Sequence, residues 1–232
     1  MTSAIILDTE STDKQDRPDR LNEVIELAFV RLYGWAAADP FEQRYKPKHP
    51  PMWGAMAVHH ILPHDLLDMP SNETIDPKLI PGQYWIGHNI DFDWTLLGAP
   101  PVKRICTLAL SRSLYPQLDS HTLSAMTYFV QGANAATREK LRNAHSALAD
   151  CYLCYELLSH LCQQLDISAL DAEGLDQLWQ ASEYARVPRV MTFGKFKDMP
   201  ISAVDRGYAN WYRKQESPDP YVLEAFRRAG LI

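Results

Sequence analysis

Near the amino terminus, Ala4-Ile5-Ile6-Leu7-Asp8-Thr9-Glu10 sets an aliphatic run directly against two acids. A continuous run of this kind predicts a buried strand. Side chains alternate along a strand, so Asp8 and Glu10 share one face and Thr9 takes the other. Two neighbouring carboxylates at a strand end repel each other unless a cation lies between them. The pattern points to hard, oxygen-seeking ions such as magnesium or manganese. Taken by itself, Asp-x-Glu is more often an ordinary strand end running into an acidic loop.

What surrounds this strand narrows its setting. A chain of 232 residues has room for one large domain, or a medium one with an appendage. No apolar run reaches the length of a membrane span, and no basic segment followed by an apolar core marks the start for export. The expectation is a cytoplasmic protein with no membrane partner. Cys106, Cys151, Cys154 and Cys162 are too few and too clustered for a disulfide framework, and Cys151-x-x-Cys154 lacks a second pair for zinc. Reduced thiols packed in or near a core are expected. The net charge of −6 argues at first against a polyanionic partner. From Arg186 onward, however, nine Lys and Arg stand against five Asp and Glu, so a basic tail follows an acidic body. That distribution accommodates nucleic acid once metals neutralise some of the acids.

Residues 11–22 are charged and interrupted by proline, and read as a loop. Strands are predicted over residues 24–33 and 41–46, close enough to the first to form an antiparallel meander. Short helical pieces follow over 53–67, then a strand over 83–87 and a helix over 92–97 capped by Asp91. A further strand is predicted over 102–106, with helices over 107–114, 121–130, 147–165 and 172–184. This order gives a mixed α/β sheet. A strand-turn over 191–199 and two short helices, 202–215 and 221–229, form a small terminal module.

Two more stretches strengthen the opening signal. Gly87-His88-Asn89-Ile90-Asp91-Phe92-Asp93 turns from strand to helix, and His145-Ser146-Ala147-Leu148-Ala149-Asp150 heads the longest helix. On one helix, residues five apart lie roughly 140° from each other. With Ser146 as N-cap, His145 falls just outside the helix and Asp150 early inside it. A carboxylate fixed by packing and an imidazole free to swing suit metal-assisted hydrolysis.

Together these stretches resemble the DEDDh family of 3′→5′ exonucleases. Asp8-Thr9-Glu10 matches that family's Asp-x-Glu, and His88 through Asp93 its His-Asn-x-x-Phe-Asp, with Asp93 the family acid. His145 through Asp150 matches His-x-Ala-x-x-Asp. Ala57-Val58-His59-His60-Ile61 is similar to the Val-His-Gly-Ile element, with His60 in place of glycine. Cys106-Thr107-Leu108 stands where Asp-Thr-Leu is usual, and the loop after Glu10 lacks the common Thr-Gly. The resemblance covers residues 5–165 and implies an α/β, ribonuclease H-like mixed sheet flanked by helices.

It also implies a two-metal-ion phosphodiesterase using Mg2+, with Mn2+ able to substitute. Asp8 is expected to bridge both ions, Glu10 and Asp150 to hold the water-activating one, and Asp93 to reach the second partly through water. His145 would take the proton from the attacking water, and a nucleoside 5′-monophosphate would leave. Thr9, His59 and Asn89 are candidate contacts to the terminal nucleotide, Asn89 also shaping the turn that delivers Asp93.

The segment Met191-Thr192-Phe193-Gly194-Lys195-Phe196-Lys197-Asp198 resembles the Phe-Gly-Lys-Tyr-x-Gly element of the exonuclease X branch of that family. Lys195 and Lys197 are candidate phosphate contacts in a module holding seven aromatic residues. Rings and cations together suit single-strand binding, and equally suit a small core with a solvated face. The expected division is an exonuclease domain over residues 1–167, then a linker helix and small α+β module over 168–232. The expected activity is hydrolysis at DNA 3′ ends, single-stranded or frayed, in DNA repair. RNA ends are an alternative substrate, and a non-catalytic nucleic-acid binder an alternative role; the complete set of acids with a histidine favours catalysis.

Overall fold

At the centre of the computed structural model, which describes residues 3–14, 21–142 and 146–232, lies the strand β1 (Ala4–Ser11). It is flanked by β2 (Val24–Tyr33), β3 (Ala36–Arg44), β4 (Tyr84–Gly87) and β5 (Lys103–Cys106) in the order β3-β2-β1-β4-β5. The first three strands form an antiparallel meander, while β1–β4 and β4–β5 pair in parallel. This is the mixed sheet that the element order predicts. The direction of pairing changes across β1, so the ends of β1 and β4 emerge together at one edge.

Helices follow as α1 (Trp53–His59), α2 (Ile90–Leu96), α3 (Thr107–Leu114), α4 (Leu123–Gln131), α5 (Ala135–Arg142), α6 (Ala147–Gln164) and α7 (Ala172–Arg186). One face of the sheet buries Ile5, Leu7, Leu27, Phe29 and Trp85 with Ile90 and Leu97 from and just after α2. Against β1 and β2 packs α6, burying Ala147, Cys151, Cys154, Leu158 and Leu161 at helical spacing. All four cysteines are free and buried.

The first compact unit, Met1–Ser182, contains this sheet; the second is Glu183–Ile232. The second has its own core, including Met191, Phe196, Ile201, Ala209, Val222 and Phe226, closed by α8 (Arg206–Tyr212) and α9 (Pro220–Arg228). Among the described residues, no helix is long and apolar enough to cross a membrane.

Three local expectations need correction. Residues 191–199 form no strand: one antiparallel bridge, Val190 to Pro200, closes a 3-10 turn at Gly194–Phe196. Pro200 has no N–H for a ladder, and Gly194 has φ +70° with the Tyr208 hydroxyl where a Cβ would lie. Asp91 does not cap α2. Asn89 does, in a left-handed conformation (φ 75°), and Asp91 lies one residue inside, paired with Arg104. Finally, α5 forms where the sequence pattern predicts no helix, its buried stripe being only Thr137 and Leu141. The Asn134 side chain starts it by accepting the Thr137 N–H at 3.0 Å.

Candidate active site

Alternation along β1 brings Asp8 and Glu10 to the face covered by α6. Ser146 caps that helix by accepting the Ala149 N–H, which fixes Asp150 in its first turn. Carboxylate oxygens from Asp8, Glu10 and Asp150 then lie within 4.8 Å of one another. Two elements far apart in sequence thus deliver three acids to one point.

Asp93 arrives from the opposite face. The β1–β4 ladder ends at Ile6–Ile86, and beyond it α2 turns Asp93 toward β1. Its Oδ1 accepts both the Thr9 N–H at 2.9 Å and the Thr9 hydroxyl at 2.6 Å. Asp93 is 4% exposed and is not one of the three converging acids, though its charge acts on Asp8. Gly87 makes the approach possible, since a Cβ there would meet the Leu7 carbonyl at 2.8 Å and Ile90 at 2.9 Å. Gly87→Ala is expected to cost about 1–3 kcal/mol, as overpacking does, and to lower turnover by displacing α2. Urea unfolding together with steady-state kinetics measures both.

The electrostatics follow from the crowding. Burial, then the charges of Asp93, Asp150 and Glu10, hold the Asp8 carboxyl well above the usual range. Burial, then Asp150, pushes Glu10 up to about 8. For Asp93, burial raises the value to about 7 against the pull of the two Thr9 hydrogen bonds. Crowded carboxylates repel one another unless a cation offsets their charge, and an all-oxygen donor set suits a hard divalent one. The residues therefore fit divalent metal.

Beside the cluster lies a cavity of about 260 Å3, lined by Thr9, Glu10, His59, Asn89 and Phe92 among others. Asn89 is exposed there. Thr9 is buried, with both donors on Asp93. The His59 ring is buried as well; its Nδ1 accepts the Ile61 N–H at 2.9 Å, and burial lowers its pKa. His88 serves the frame, with Nε2 donating to the His121 carbonyl at 2.8 Å and burial depressing its pKa to about 4. Lys195 and Lys197 belong to the second unit, both exposed, with Lys195 3.8 Å from Asp205. His145 lies outside the described residues.

One residue of the site escapes the sequence reading. Glu26, 1% exposed on β2, stands opposite Glu10 and accepts the Ala147 N–H at 2.9 Å. Its signal was a single acid inside the apolar run Val24-Ile25-Glu26-Leu27-Ala28.

The exonuclease profile of the RNase T family matches residues 5–158. The chain belongs to the RNase T exonuclease family. Exodeoxyribonuclease 10 of Escherichia coli K12 is 28% identical over 209 residues, covering 89% of this chain and 88% of that protein. A solved structure of exonuclease X in complex with 5′-overhanging duplex DNA has a TM-score of 0.59 at 25% identity, covering 76% of this chain and 99% of that one. The nuclease domain of 3′hExo, a DEDDh member bound to rAMP, shares the fold at 15% identity and a TM-score of 0.53, over 70% of this chain and 92% of that domain. In this RNase T exonuclease, Asp8 and Glu10 lie toward the C-terminal end of β1, and Asp93 and Asp150 in the first turns of α2 and α6.

Proposed function

We propose that this protein is a magnesium-dependent 3′→5′ exonuclease that acts on DNA ends in repair and releases nucleoside 5′-monophosphates. The convergence of Asp8, Glu10 and Asp150 within 4.8 Å, beside an open cavity, carries the reading. Preference for DNA is supported by similarity to exodeoxyribonuclease 10 and to exonuclease X in complex with duplex DNA. A cytoplasmic setting accords with four free, buried cysteines.

In this reading Asp8, Glu10 and Asp150 hold the cations, and Asp93, fixed by Thr9, completes the acidic set. When bound, two divalent cations supply Lewis acidity to both the attacking and the leaving oxygen. His145 accepts the proton of the attacking water, as an imidazole titrating near neutrality can. Thr9, His59 and Asn89 line the space for the terminal nucleotide, and Lys195 and Lys197 meet backbone phosphates of the strand.

Matched DNA and RNA oligonucleotides, labelled at the 5′ end and incubated with Mg2+, test the activity and its sugar preference. A ladder shortening from the 3′ end, faster on DNA, is expected. Faster RNA decay would make the enzyme an exoribonuclease, and persistent full-length strands would leave only a nucleic-acid binder. For the terminal module, Lys195→Ala with Lys197→Ala is expected to reduce the salt slope of single-strand binding by about 1.4, the effect of losing two phosphate contacts. Fluorescence anisotropy across KCl concentrations reads it; an unchanged slope would remove both lysines from the interface.

A further inference from the structure

Glu26 is placed where its chemistry is hard to tolerate without a purpose. Cross-strand pairing sets it between Glu10 on β1 and Arg44 on β3, in one row across the meander. It adds a negative charge to a site already crowded with them, and both Asp8 and Glu10 feel it. An apolar residue there would pack on the sheet without that repulsion. The Arg44 guanidinium, 2.7 Å away, offsets the charge through Oε1. The other oxygen, Oε2, accepts the N–H of Ala147.

Ala147 is the first residue of α6, and its N–H has no partner within the helix. The residue is fully buried, so water does not reach it. Ser146 satisfies the Ala149 N–H, and Glu26 satisfies that of Ala147, tying the start of the helix to the sheet. A second tie, from Cys151 Sγ to the Ala28 carbonyl at 3.6 Å, is far weaker. Asp150 sits three residues beyond Ala147, and His145 two residues before it.

We propose that Glu26 is a positioning residue for the metal site: clamped by Arg44, its carboxylate pins the start of α6 to β2 and so sets Asp150 against Asp8 and Glu10. It touches neither substrate nor cation. The inference rests on the metal-dependent exonuclease reading, and a direct binding measurement separates the two. Groups that orient metal ligands without binding the metal typically govern 10–100-fold in affinity.

The test compares Glu26→Met, which keeps the volume and removes the acceptor, with Glu26→Gln, which keeps an acceptor oxygen and removes the charge. Mn2+ affinity is read by electron paramagnetic resonance, and kcat and KM on a DNA oligonucleotide alongside. Glu26→Met is expected to weaken Mn2+ binding by about 10-fold or more and to lower kcat with KM little changed, as loss of an outer-shell partner does. Glu26→Gln is expected to stay within about 3-fold of wild type on both readouts, the acceptor being kept. Wild-type affinity in Glu26→Met would overturn the proposal. So would equal losses in both variants, which would make the charge and not the hydrogen bond the active feature. Weakened Mn2+ binding in Glu26→Met, alongside a wild type that degrades no DNA, would uphold the positioning role and overturn the exonuclease reading.

Discussion

Replacing Asp8 with asparagine is expected to cut exonuclease turnover by about 10³-fold or more, since a lost metal clamp is worth several kcal/mol of transition-state stabilisation. A carboxylate oxygen of Asp8 lies within 4.8 Å of those of Glu10 and Asp150, and Asp8 also feels the charge of Asp93. An amide at this position keeps the shape of the side chain and removes a buried group whose ionisation the neighbouring carboxylates oppose. The folded state in the absence of metal therefore gains rather than loses. The signature is an inactive enzyme whose thermal midpoint in EDTA equals or exceeds that of the wild type. Turnover on labelled DNA and melting by circular dichroism measure the two halves separately. A variant that melts early would reveal a structural role for the carboxylate in place of a catalytic one.

The second large effect concerns pH. Glu10 titrates near 4.5 in an unfolded chain and at about 8 in the folded one, and Asp93 moves from 3.8 to about 7. Between those values the folded protein binds more protons than the unfolded chain, so stability falls as pH rises. The stabilisation is fully present below about pH 4 and is lost through the interval up to about pH 8. For two buried groups raised this far the loss is at most on the order of 9 kcal/mol, which lowers Tm by well over 5 °C for a chain of this size. Cations bind the deprotonated set, so Mn2+ is expected to restore the midpoint at pH 8 and to change it little at pH 5. Melting curves in EDTA and in Mn2+ across this range test the linkage. A midpoint in EDTA that rises with pH would contradict it.

Much of this arrangement was legible in the residues. The apolar run into Asp8 and Glu10 announced both a strand and a shared face, because strand alternation depends on nothing distant. Ser146 announced the start of α6 for a similarly local reason, and Asp150 followed from it. What stayed hidden depended on partners far along the chain. Thr9 carries no mark showing that its hydroxyl would go to Asp93, 84 residues away. Asp91 has the chemistry of a cap, yet the tight exit from β4 makes left-handed Asn89 the cap and turns Asp91 toward Arg104. Glu26 is a lone acid in an apolar strand, and its meaning comes only from the pairing that sets it beside Glu10 and beneath Ala147. In the second unit, aromatic residues suggested a strand where Pro200 and a glycine against Tyr208 allow only a turn.

Anomalous diffraction from crystals soaked in Mn2+ is the most direct measurement of the metal centre. The account predicts a manganese peak within bonding distance of carboxylate oxygens from Asp8, Glu10 and Asp150, and its disappearance in Asp8→Asn. Manganese bound elsewhere, with these three acids left bare, would contradict it.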